Sequence, residues 1–362
     1  MAVAVDRRRG ALLVVLVVLV AMVAVSLALV LRSGPGPAAP VAVPEPTTQT
    51  ATPGPAVTVA RAPLTGLPVD DPRTLEHPAV AIKVSDVRQA HPQVGVERAD
   101  IVFVEPIGVA YTRLAAVFHS DVPDRVGPVR SVRPTDAALL SPMKPVFGNT
   151  MAAEWVMRYV DEVADLDNLG SMRAEDPDAY VVDQRRPRPD HVFADPQVLL
   201  AESARTAAPE PYFSYAGDLA SSSAGRSGAA GTSVQVPYGP GWEVTWTYDE
   251  ATGRYRREQP WGPHVTAGGV QVSAVNVLVV EVETVTEKLA AGAGAAVPVQ
   301  QLVDGSGGFV ALTGGHSVRG TWRKGEVGDP FELVTSDGEA LTLAPGITWV
   351  ELPAPSAGVT VR

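Results

Sequence analysis

The chain has 362 residues, 40 of them acidic and 29 basic, and contains no cysteine. That length implies two domains with appendages, and the missing cysteine excludes disulfides, thiol catalysis and an acylated cysteine anchor. The six histidines, at 77, 91, 119, 191, 264 and 316, show no ligand-pair spacing, so no metal site is expected.

In chain order, residues 1–10 read as a cytoplasmic stub whose Arg7, Arg8 and Arg9 precede 21 uncharged residues, 11–31. At ~1.5 Å per residue this run reaches roughly 30 Å, the thickness of a bilayer core. The arginines orient it as a single transmembrane helix, a signal anchor in the cell membrane with everything downstream extracytoplasmic. Cleavage at the small-x-small stretch Ser26-Leu27-Ala28 is the competing reading. Residues 1–32 hold four arginines against Asp6, which leaves a formal charge of −14 on the remainder. A field that negative argues against nucleic acid as a partner. Residues 32–61 are a Pro/Thr-rich linker of extended chain.

A first domain, α+β or α/β, is expected over 62–215. AVAIKVSD (79–86) reads as a strand, and the apolar runs 101–104 and 114–118 as a buried pair joined by a short turn. Thr135 or Asp136 is placed as the N-cap of a short helix. Trp155, Val156, Tyr159, Val160 and Val163 recur at helical spacing, and Asp195 caps a further helix. Residues 216–232, nearly free of core-forming side chains, are expected to be a flexible linker. The second domain, 233–355, reads as mostly β. It has a hairpin around 250–253, a buried strand with a polar continuation within 268–285, and short strands at 309–321, 330–335, 340–343 and 348–352. Gly305, Gly307 and Gly308 read as a turn.

Chemistry concentrates between the paired strands and the short helix. Arg113 opens the second strand, Arg130, Ser131 and Arg133 lie in the loop after it, and Glu105 ends the first. A loop of guanidinium forks feeding a helix N-terminus is a candidate anion site. There Glu105, Asp136 or His191 would supply proton transfer. The bland alternative is a set of ion pairs among Glu105, Arg113, Arg130, Asp121, Asp124 and Asp136 that pins the loop. The chain has no GxSxG or P-loop motif, and no cofactor is expected. Two functions stay open. One is a membrane-anchored envelope protein that binds an anionic wall ligand or a protein partner. The other is an envelope enzyme acting on a phosphorylated or carboxylated wall substrate.

The succession PLTG, ADIVFVE, TRLAAVF, VGPVRSVRP, WTYDEATGRYRR, RGTWRKG and LAPGITWVELP resembles the YerB-like family of bacterial extracytoplasmic proteins. The resemblance implies an N- and a C-terminal domain of unknown function, an envelope location and no established activity. Arg113, Arg130, Ser131, Arg133 and His191 stand at the family's Thr-Arg, Gly-Pro-Val-Arg-Ser and Pro-His positions. This chain departs from the pattern in three places: it lacks a cysteine to acylate, it carries 109–111 where relatives are glycine-rich, and Asp190 stands before His191.

If 11–31 is retained as an anchor, protease added to intact protoplasts should remove everything from 62 onward while N-terminal sequencing still reads from residue 1. A mature N-terminus just after Ala28 would overturn the anchor.

Overall fold

The computed structural model describes residues 60–362, Val109 excepted. The expected anchor at 11–31 and most of the linker at 32–61 lie outside the described residues, among which no helix is long and apolar enough to cross a membrane. The described chain falls within one compact unit, built on an eleven-stranded sheet. Strands β1 (Val80–Ser85), β2 (Ile101–Gly108) and β3 (Tyr111–Phe118) form its first half in the order β2-β3-β1, all antiparallel. Val146–Gly148 and Asp167–Asn168 extend it in parallel beyond β1. On the other side β2 pairs in parallel with Thr348–Glu351, which in turn pairs with Asn276–Val280. Strands Gly305–Thr313, His316–Lys324 and Glu332–Thr335 complete the row.

Strand alternation then decides what each face buries. Ala81, Phe103, Ala115 and Val117 point to one face, where helix α1 (Thr135–Leu140) and helix Glu154–Val163 bring Leu139, Leu140, Trp155 and Val160. Val80, Ile82, Val84, Val102, Val104 and Leu114 point to the other, against Val234, Val236, Val244, Trp246 and Tyr255 of a six-stranded second sheet. The architecture is mostly β with few helices. The α/β alternative for the first half survives only in the crossover from Val146–Gly148 through Glu154–Val163 to Asp167–Asn168.

Several expectations need correction. Residues 216–232 are packed: Ser222 caps a helix at Ser223–Ser227, Ser223 and Ala224 are buried, and Ala229–Ala230 pairs with the strand starting at His316. Small side chains permit that close approach, since a Cβ on Gly231 would meet Ser317 Cβ at 2.7 Å. Residues 309–321 are two strands turned at Gly314 and Gly315, whose φ angles of 61° and 79° favour glycine. Residues 340–343 make only isolated bridges. Gly305, Gly307 and Gly308 lie inside a strand, where the Trp322 indole covers Gly305 and Gly307.

A buried charge network fastens the two halves. Arg257, wholly buried, donates to Asp86 Oδ2 at 3.1 Å and to Glu351 Oε1 at 3.4 Å, and its guanidinium lies 5.0 Å from the Trp349 ring. Thr112 and Gln259 also donate to Asp86, at 2.8 and 2.7 Å, while Tyr238 and Trp246 donate to Glu351, at 2.7 and 2.9 Å. Burial pushes the Asp86 carboxyl up, but Arg257, His91 and His264 outweigh it and hold the group far below the usual carboxylate range.

Removing a partner from such a pair leaves a buried charge uncompensated. Arg257→Ala should therefore lose about 3–5 kcal/mol in urea denaturation. Arg256→Ala, which breaks only the surface pair with Asp249, should lose no more than ~1 kcal/mol.

Candidate functional site

The period of two that builds the core also places charge at one end of the sheet. Glu105 of β2 sits directly opposite Arg113 of β3, and Lys83 of β1 opposite Ala115, all on the face that α1 covers. The loop after β3 returns along the end of β1, residues 83–85, that Val146–Gly148 leaves unpaired. Ser85 N donates to Pro128 O at 2.9 Å, Arg130 N to Lys83 O at 2.8 Å, and Val84 bridges Val129. This pairing fixes Arg130, Ser131 and Arg133 beside the strand ends.

Lys83 lies at the centre of this arrangement. Its ammonium donates to Glu105 Oε1 and, at 2.7 Å, to Asp136 Oδ1, and none of the three side chains is exposed. The other Asp136 oxygen accepts the Arg133 backbone N–H at 2.7 Å. Glu105 Oε2 is buried without a partner. One ammonium cannot offset two buried carboxylates. Burial first, and then the Asp136 charge, push the Glu105 carboxyl up to about 8 against the pull of Lys83.

The arginines are left without their expected partners. Arg113, only 6% exposed, donates to the Ser131 carbonyl at 2.9 Å, and Arg133 to the Val132 carbonyl at 3.0 Å. Neither forms an ion pair among the described residues. Arg130 Nε stands 3.7 Å from Asp190 Oδ1, too far for a hydrogen bond, and Arg130 Nε, Arg133 Nε and Asp190 Oδ1 are all buried and unpartnered. Burial, Arg133 and Arg130 together push Arg113 down to about 9, with Asp136 and Glu105 opposing. Arg133 is lowered chiefly by burial, and Arg130 adds to it.

The structure therefore gathers Arg113, Arg130, Arg133, Glu105 and Asp136. Ser131 contributes its carbonyl, and His191, next to Asp190, makes no side-chain hydrogen bond among the described residues, its Nδ1 being buried and unpartnered. Two expectations change. Pro134, not Thr135 or Asp136, stands at the N-cap of α1, and Asp136 reaches back to the Arg133 N–H, so the helix N-terminus offers no anion seat. The expected carboxylate–arginine pairs are absent because Lys83 takes Glu105 and Asp136, while Asp121 pairs with Arg98 at the surface. Lys83 and Asp190 are the members that sequence reasoning missed. The signal for Lys83 was a lysine interrupting the apolar run AVAIKVSD at a core-facing position.

On the opposite face Asp86, His91 and His264 bring ligand atoms within 4.8 Å of one another. They do not suit a metal. Arg257 Nη1 lies 2.9 Å from His264 Nδ1, and His264 Nε2 lies 2.6 Å from Gln93 Oε1. Burial and Arg257 push His264 well below its ordinary value, so its ring is neutral, accepting from Arg257 and donating to Gln93. The guanidinium already fills the cation's place.

Fold and site define a mostly β protein whose two halves share one sheet, with buried charge clusters on both faces at one end. Residues 64–209 match the N-terminal domain, and residues 234–350 the C-terminal domain, of the DUF3048 proteins of unknown function. The chain belongs to this YerB-like family. It is 44% identical over 73 residues to "Putative lipoprotein YerB" of Bacillus subtilis (strain 168), a match that spans 20% of this chain and 22% of that protein. The crystal structure of the YerB protein from Bacillus subtilis superimposes with a TM-score of 0.71 at 21% identity, over 84% of this chain and 99% of that one. At that identity the likeness speaks to the fold.

Glu105 gives stability a pH dependence of known sign. Its folded value lies above the ordinary 4.5, so between 4.5 and about 8 the folded state keeps a proton the unfolded chain has released. Its contribution is therefore greatest at low pH and is lost as pH rises through this window. Glu105→Gln should flatten that fall, as urea denaturation at a series of pH values would show. An unchanged slope would place the proton elsewhere.

Proposed function

We propose that this protein is a membrane-held, extracytoplasmic component of the cell envelope that binds an anionic envelope ligand through Arg113, Arg130 and Arg133. One observation carries the reading. Three guanidinium groups act on one another in a largely buried place, two of them with unpartnered Nε–H groups; Lys83 holds Glu105 and Asp136, and Asp190, 3.7 Å from Arg130 Nε, is the one remaining carboxylate paired with them among the described residues. Unbalanced buried cations are costly, and an oxyanion that accepts their free N–H groups relieves the cost. The basic, apolar N-terminus and the lipoprotein name of the Bacillus relative support the envelope location. The strongly acidic remainder makes an anion site a local exception to the protein's field. The ligand class is a phosphorylated or carboxylated wall component, or an acidic patch on an envelope protein.

Glu105 supports a second reading, an envelope enzyme on the same ligand class. A carboxyl pushed up to about 8, with one oxygen unengaged beside the arginines, holds the proton that a general acid delivers.

Thermal melts of wild type and Arg113→Met, with and without inorganic phosphate at constant ionic strength, test the binding reading. Phosphate should raise the wild-type melting temperature, and the substitution should abolish most of that rise while leaving the ligand-free value level or higher. A mutant that loses several degrees without ligand, beside a wild type indifferent to phosphate, would show that the arginines only clamp the loop.

A further inference from the structure

A second cluster of arginines forms where Arg125, on the same loop but before the cis-bonded Gly127-Pro128, meets Arg185 and Arg186 of the loop between Tyr180–Val182 and Val192–Ala194. The guanidinium carbons of Arg125 and Arg186 lie 4.4 and 5.2 Å from the centroid of one ring, Phe193. Together with Arg185 they line a cavity of about 450 Å³. Asp183 is the carboxylate on its wall, and Arg185 engages both of its oxygens at 3.0 Å. Arg125 stands 3.7 Å from Asp183 without a hydrogen bond, and its Nε is buried with no partner. Arg186 donates one N–H from each Nη to neutral groups, the carbonyls of Ala90 and Pro92, and forms no hydrogen bond with a carboxylate among the described residues. The site thus has two guanidinium charges in excess of the one carboxylate on its wall, and one donor, Arg125 Nε, without a partner.

We infer that this cavity is a second anion-binding site, in which Arg125 and Arg186 over Phe193 receive the phosphoryl group of a small phosphate ester. Flat guanidinium groups laid on an aromatic ring are held in orientation by the ring's negative face, which presents their N–H edges to an oxyanion as a preset fork. The volume exceeds what a bare oxyanion occupies and falls within the range of small-molecule sites. Val94 and Ala267 supply an apolar wall for the organic part. Ala267 comes from the C-terminal half and is tied across by its N–H to the Gln93 carbonyl at 2.7 Å, so both halves of the protein build the cavity. Burial lowers Arg186 from its ordinary value and Arg125 adds to that effect, while Asp183 and Asp190 oppose it without cancelling it.

The inference uses none of the residues of the proposed arginine cleft, so the two readings fail separately. The test is calorimetric titration of the full-length chain with glycerol 3-phosphate at constant ionic strength, in wild type, Arg125→Ala, Arg125→Gln and Arg113→Met. Circular dichroism checks that each is folded. Arg125→Ala and Arg125→Gln should each weaken one binding event at least tenfold, and Arg113→Met should leave that event intact. The inference is overturned if both Arg125 variants titrate like wild type, if only Arg113→Met changes the isotherm, or if the wild type binds no glycerol 3-phosphate.

Discussion

A single ammonium, that of Lys83, answers two buried carboxylates, and much of the first half of the protein is arranged around that imbalance. Because Lys83 holds both Glu105 and Asp136, those groups cannot also serve the arginines of the neighbouring loop. Asp136 ties the start of α1 to Arg133. The loop in turn lies along β1 through backbone pairing. Exchanging Lys83 for an apolar residue would thus disturb strand, loop and helix together, since each carboxylate would be left in a medium where an unpaired charge is costly.

The same end of the sheet carries a second buried network on its opposite face, and the two differ in what they leave over. Around Arg257 two carboxylates, an imidazole and two aromatic rings surround one guanidinium, and the orphan atoms are Gln259 Oε1 and His91 Nε2, both on residues beside Asp86. Around Arg113 the count does not close, and orphan atoms remain on Glu105, Arg130, Arg133 and Asp190. A buried guanidinium answered by two carboxylates fixes structure, whereas buried guanidinium groups left short of them call for a missing participant. That contrast is why the first is read as a clasp between halves and the second as a place for a ligand.

Much of this was legible in the sequence, for identifiable reasons. β-branched runs at period two marked β1, β2 and β3, and Asp195 marked a helix start that its carboxylate does cap, through Gln197 and Val198. Arg113, Arg130, Arg133, Glu105 and Asp136 were found because strand ends and a short loop confine them to one neighbourhood. Lys83 was not, because one lysine in an apolar strand gives no sign of which carboxylates it will meet from β2 and α1. The stretch 216–232 was misread because glycine, alanine and serine suit a mobile linker and a tight backbone contact equally. The close approach of Ser317 to Gly231, which the local sequence does not foretell, separates the two. The join between β2 and Thr348–Glu351 was hidden for a plainer reason: pairing between distant strands leaves no local pattern.

That join also bears on how the chain is made. Thr348–Glu351 is an interior strand, inserted between β2 and Asn276–Val280, yet it is synthesised roughly 250 residues after the strand it completes, so the sheet closes through contacts of very high sequence separation. Until it arrives, β2 presents an open row of amide and carbonyl groups to any other extended segment nearby. A ribosome or a translocation channel that has released only the first half has therefore released an unfinished sheet. The exposed edge makes chaperone protection most valuable in that interval.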